Sequence, residues 1–139
     1  MPTPAQITAA ALSMTGTPFH AQGRLPGVGL DCIGVMVCTA IACGIQIKDR
    51  IDYPLRANGE LKKELDARLV RVYGAPQEGD ILMMRFSGEP HHVAIYISEN
   101  RIVHAYTGVR ECVVQSYTDY WREKVRGVYR FPEVQPCQS

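Results

Sequence analysis

The sequence predicts an α+β fold, with helices in the first half and an antiparallel sheet in the second. Two observations carry that expectation. Helix caps and helical spacing of apolar residues are concentrated in the first half of the chain, and runs of strand-forming residues fill the second. Short loops containing Gly, Asn or Ser separate most of those runs, as in an antiparallel meander. At 139 residues the chain has the length of one domain, 1–139, able to bury one core.

The first helix is expected over 3–14. Thr3 is its N-cap, Pro4 suits the first helical position and Gln6 completes a capping box, with Gly16 as the stop. Residues 16–30, "GTPFHAQGRLPGVGL", read as a loop from their glycines and prolines, and Gly27 and Gly29 would let the backbone approach a ligand. A second helix runs from Asp31 to Cys43 and ends at Gly44. It is apolar nearly all round and is therefore expected to be buried. The segment 57–72, "ANGELKKELDARLVRV", reads as an amphipathic third helix, with Leu61, Leu65 and Leu69 four apart. Strands are expected at 80–86, 92–97, 101–106, 110–115 and 127–131, interrupted by a helical turn at 117–124. The tail 132–139 has little to pack with and is expected to be mobile.

Composition excludes several function classes. A net charge of +1 with no long basic run argues against nucleic acid or a membrane surface as partner. The most apolar stretch, 33–47, is too short and too mixed to span a bilayer, so no membrane insertion is expected. The first residues lack the basic and apolar regions of a signal peptide, which implies synthesis in the cytoplasm. Five cysteines form no C-x-x-C pair, and their odd number argues against a closed disulfide framework. Neither a metal nor an organic cofactor is implied.

Cys32 stands at the start of the second helix, beside unpaired backbone N–H groups and the positive end of the helix dipole. That position favours the thiolate, although a buried packing role is the commoner fate of a cysteine. Candidate bases come from "HHVAIYISENRIVHAY". A three-residue turn, Ser98-Glu99-Asn100, sets Ala94 opposite His104 and His92 opposite Tyr106. His92 and His104 then share a face, while Val93, Ile95, Ile97, Val103 and Ala105 form the other. A two-residue turn would separate the histidines. Cysteine, His92 and His104 are the parts of a nucleophilic site: attacker, base and orienting group.

"GTPFHAQGR…GLDCIG" and "EGDILMMRF…HHVAIYISENRIVHAY" resemble the two halves of the NlpC family of bacterial cell-wall cysteine peptidases, over about 16–131. The resemblance implies a papain-like α+β core and cleavage of peptidoglycan peptide stems, usually between γ-D-glutamate and the diamino acid. It matches Cys32 to the nucleophile, His92 to the base, His104 to the third polar residue and Asp31 to an acid that helps bind substrate in relatives. His20 and Gln22, on the approach loop, stand as candidates for substrate contact or as plain surface residues. Ile33 replaces a usual serine, and Phe19 stands where many relatives have tyrosine. "QGR", "YP" and the closing "W…YRFP" are similar to a subgroup encoded with bacteriophage tail genes. That similarity implies tail-tip or hub partners and a place in a virion tail or phage-like particle. The rival readings are a non-catalytic structural tail protein and an amidase or acyltransferase of related fold.

Overall fold

The computed structural model describes residues 1–49, 59–132 and 134. Helix α1 (Pro4–Leu12) begins as its sequence dictates: the Thr3 side chain accepts from the Gln6 N–H, and the Gln6 side chain accepts from the Thr3 N–H. The loop that follows contains a small antiparallel hairpin, β1 (Arg24–Leu25) and β2 (Gly29–Leu30), turned at Gly27 with φ of 82°. Helix α2 (Cys32–Ala42) is capped by Asp31, whose carboxylate accepts from the Gly34 N–H at 2.7 Å. Its residues 34–40 are buried, but Ile41 is 63% exposed, so the helix is not buried all round as expected.

The third helix is shorter than its periodicity predicts. Helix α3 (Glu60–Arg68) stops at Leu69, which is extended, and residues 70–72 form strand β3 (Val70–Val72) instead of a further helical turn. β-Branched Val70 and Val72 pair with a distant strand, and that pairing outweighs the leucine spacing. Residues 57 and 58 of the predicted helix, and residues 133 and 135–139 of the tail, lie outside the described residues.

Five further strands follow: β4 (Ile81–Met84), β5 (His92–Ile97), β6 (Arg101–Ala105), β7 (Cys112–Ser116) and β8 (Val125–Arg130), with the four-residue helix α4 (Asp119–Arg122) before the last. The sheet order is β3-β8-β4-β5-β6-β7, all antiparallel. β4 to β7 form the expected meander. The final strand does not extend it; β8 returns across the sheet to lie between β3 and β4.

The sheet is covered on both faces. Val93, Ile95, Ile97, Val103 and Ala105 meet α1 and α2 in the larger core. Leu82, Met84, Ala94 and Ile102 face the other way and are covered by Tyr117 and Trp121 at α4. The strand alternation therefore serves two cores, with a helix layer on one side and an aromatic lid on the other. Asp80, 0% exposed, is held by the Arg130 guanidinium at 2.7 and 3.0 Å and pins β8 beside β4.

Candidate active site

The β5–β6 turn has the expected three residues. Ile97 pairs with Arg101 and Ile95 with Val103, while Glu99 and Asn100 both adopt left-handed φ, of 62° and 55°. That register carries the two histidines to one face. His92 Nε2 lies 2.8 Å from His104 Nδ1, and His104 Nε2 lies 2.7 Å from Gln115 Oε1. The rings sit in an aromatic enclosure. Trp121 packs against His104 with centroids 4.7 Å apart, Tyr106 lies 4.9 Å from His104, and Phe86 lies 5.3 Å from His92. His104 is 0% exposed and His92 3%.

Cys32 opens α2, and His92 opens β5. Both line a cavity of about 540 Å³, together with Phe19, Ile33, Tyr106 and Trp121. The sulfur lies against β5 beside the backbone N–H of Val93, with the N–H groups of Ile33 and Cys32 itself also directed at it. These donors are what a developing anion at this point requires. The two residues that depart from the commoner family pattern, Phe19 and Ile33, both face the cavity and leave its wall apolar there.

The helix-start position does not leave Cys32 as a thiolate. Burial, reinforced by the nearby Asp31 carboxylate, pushes the thiol up to about 12, against the pull of the three N–H groups. Burial likewise holds His92 well below its ordinary value, aided by His104 and His91, and brings His104 down to about 4 against the Gln115 hydrogen bond. The resting site is therefore a neutral thiol beside neutral imidazoles, not the ion pair that the dipole argument alone suggests.

Asp31 is 2% exposed and fully engaged. Oδ1 accepts from Gly34 N and from Arg24 Nη1 at 3.1 Å, Oδ2 accepts from Gln22 N at 2.9 Å, and Arg24 goes on to Asp49 at 2.9 Å. Asp31 thus ties the hairpin loop to the start of α2. Glycine is needed at the closest crossing: a Cβ on Gly34 would lie 2.1 Å from the Gly23 carbonyl oxygen. Gly29 is similarly pressed against the His20 Cβ, so it serves chain packing and not the ligand approach expected of it. His20 and Gln22 are exposed, and neither lines the cavity. His20 Nδ1 lies 2.9 Å from the Ala21 carbonyl oxygen, and Gln22 contributes its backbone to Asp31 at φ of 61°.

Gln115, Trp121, Phe86 and Tyr106 are site components that sequence reasoning missed. Gln115 is placed by strand pairing: His104 pairs with Val113, so Gln115 is its diagonal neighbour on the same face. Among the described residues, no cluster of three or more His, Cys, Asp or Glu is disposed to hold a metal ion.

The family model described as NlpC/P60 matches residues 16–130. The chain belongs to the NlpC/P60 family. Among solved structures it is similar to an NlpC/P60 family protein from Bacillus cereus, at 24% identity and a TM-score of 0.72, over 94% of this chain and 40% of that one. It is also similar to the NlpC/p60 domain of the peptidoglycan hydrolase SagA, at 23% identity and a TM-score of 0.64, over 92% and 98%. A third is RipD from Mycobacterium tuberculosis, described as a non-catalytic NlpC/p60 domain protein adapted to peptidoglycan binding, at 16% identity and a TM-score of 0.63, over 91% and 95%. The chain thus spans well under half of the Bacillus protein and nearly all of the other two. No curated protein sequence matches significantly. At these identities the likenesses establish the α+β NlpC/P60 fold.

Proposed function

We propose that this NlpC/P60 chain is a cysteine peptidase that hydrolyses peptide stems of bacterial peptidoglycan, at the bond between γ-D-glutamate and the diamino acid. One observation carries the reading: Cys32, with three N–H groups on its sulfur, shares a cavity with His92, whose far nitrogen is held by His104. With Nε2 occupied, His92 has Nδ1 free to act as base. Cys32 Sγ attacks the peptide carbonyl and its proton passes to His92 Nδ1. The N–H groups at the start of α2 receive the oxyanion. The C–N bond then breaks, and His92 returns the proton to the leaving amine. Water, deprotonated by the same nitrogen, attacks the thioester carbonyl and releases the acid and the free thiol. Because thiol and imidazole are both neutral at rest, proton transfer accompanies attack.

A binding-only role is the second reading, favoured by the non-catalytic description of RipD. The hydrogen-bonded His92–His104 pair, with His92 lining the same cavity as Cys32, weighs against it. The resemblance of "QGR" and "W…YRFP" to tail-encoded relatives supports action from a phage or phage-like tail on the cell wall, with tail-tip or hub proteins as partners; "YP" lies outside the described residues. The test is incubation with purified muropeptides of defined stem, followed by mass spectrometry. Release of a fragment beginning with the diamino acid supports the proposed bond. Intact stems that nevertheless co-sediment with the protein support binding alone.

A further inference from the structure

The pair His92–His104 admits two proton arrangements, and only one makes a base. If His104 Nδ1 is the acceptor, His92 carries its proton on Nε2 and presents a bare Nδ1 to the cavity. If His104 Nδ1 carries the proton, His92 Nε2 must accept it, and a neutral His92 then has its proton on Nδ1. What chooses between them lies one step further out. Gln115 Oε1 is 2.7 Å from His104 Nε2, and an amide oxygen only accepts. It places the His104 proton on Nε2, which leaves His104 Nδ1 bare toward His92 Nε2 at 2.8 Å.

We infer that Gln115 is a positioning residue that sets the tautomers of both histidines, through the relay Gln115 Oε1, His104 Nε2–H, His104 Nδ1, His92 Nε2–H. The inference rests on the catalytic reading for its consequence, but its structural content is independent of any substrate. Gln115 touches neither the sulfur nor the cavity and acts only through His104. Its place in β7 puts it diagonally across from His104, on the same face. Among the described residues, the polar side chains that hydrogen-bond His104 are His92 and Gln115; Tyr106 and Trp121 meet it through ring contacts. Without Gln115 the His104 Nε2–H would be left buried and unpaired. Moving the proton to Nδ1 relieves that cost and sends the relay the wrong way.

Gln115 is half-buried on an edge strand, so substitutions there leave the fold intact. The test compares the full chain with Gln115→Met, which fills the space without an acceptor, and Gln115→Glu, which accepts only. Long-range proton–nitrogen NMR of the histidine rings, in resting protein without substrate, reads the tautomers directly. Wild type and Gln115→Glu are expected to carry the His92 proton on Nε2 near pH 8. Gln115→Met is expected to move most of it to Nδ1, an equilibrium change of about tenfold, the scale of one lost hydrogen bond. In turnover, Gln115→Met is expected to lower kcat about tenfold with KM unchanged, while Gln115→Glu restores kcat at pH 8. The glutamate also favours the His104 cation, whose second proton points back at His92, so its acid limb moves to higher pH. The titratable groups against the pair are Cys32, His91 and Tyr106, which are common to all variants. An unchanged His92 tautomer in Gln115→Met overturns the inference, as does equal loss of kcat in the Met and Glu variants. The tautomer shift in Gln115→Met, together with a wild type that cleaves no stem, would leave the relay standing and remove the peptidase reading.

Discussion

Replacing His104 separates the geometric role of the ring from its bulk. His104→Ala removes a fully buried imidazole that packs on Trp121 and Tyr106 and accepts from His92. Two costs follow. The cavity left by a buried ring is worth roughly 2–4 kcal/mol, and a buried His92 N–H without an acceptor adds about 1–3 kcal/mol. Gln115 is half-buried and can turn to water, so it adds little. The variant should lose about 3–7 kcal/mol, a large share of the ~5–15 kcal/mol that holds such a domain together. His104→Asn behaves differently, because its amide oxygen falls close to where Nδ1 stood and can accept from His92 Nε2–H. It should recover most of the hydrogen-bond cost, leaving about 2–3 kcal/mol of lost packing. Catalytically, His104→Ala should lose about 10²–10³ in kcat, much of what a positioned base supplies, while His104→Asn stays within roughly tenfold of wild type. Urea unfolding gives the stabilities, and timed chromatography of muropeptide products gives kcat below the unfolding threshold of each variant. Equal kcat for the Ala and Asn variants, both folded, would refute the claim that the accepting atom at this position governs His92.

Gly34→Ala drives a methyl toward a carbonyl oxygen 2.1 Å away and should cost about 1–3 kcal/mol, lowering Tm by roughly 3–10 °C; thermal melts within 1 °C of wild type would contradict the close crossing. Acid should destabilise the fold through His104. Its folded value, about 4, lies below its ordinary 6.5, so the unfolded chain binds the proton first. Stability is complete above pH 6.5 and falls by roughly 3 kcal/mol as pH drops toward 4, with a further loss from His92 in the same direction. The check is urea unfolding at pH 7.5 and 4.5, where a His104→Asn protein should show a shallower slope. Finally, with the Cys32 thiol at about 12, the ultraviolet thiolate absorbance difference between wild type and Cys32→Ala should be absent at pH 7; its presence would restore the ion-pair picture.

The most legible part of the site in the sequence was the histidine pair. A turn of Ser98, Glu99 and Asn100 fixes a register, and register fixes faces, so local turn chemistry was enough to bring two residues twelve apart together. The cap of α1 was legible for the same reason, because a cap is decided within four residues. What was lost depended on distant pairing. "LVRV" continues a helical pattern and becomes β3 only because β8 comes back to meet it. Gln115 is placed by the β6–β7 pairing across a longer connection, whose turn offers no simple hairpin rule. The expectation of a thiolate failed on a balance of two effects. Sequence shows the helix start, but not the burial and the neighbouring carboxylate that outweigh it.

The central claim is that Cys32 is a nucleophile served by His92. The most direct measurement is muropeptide digestion by wild type and by Cys32→Ala, side by side, with products identified by mass spectrometry and both proteins shown to be folded by circular dichroism. The account predicts cleavage at the bond after γ-D-glutamate by wild type and none above the buffer blank by Cys32→Ala. Cleavage of that bond by the folded alanine variant would contradict it.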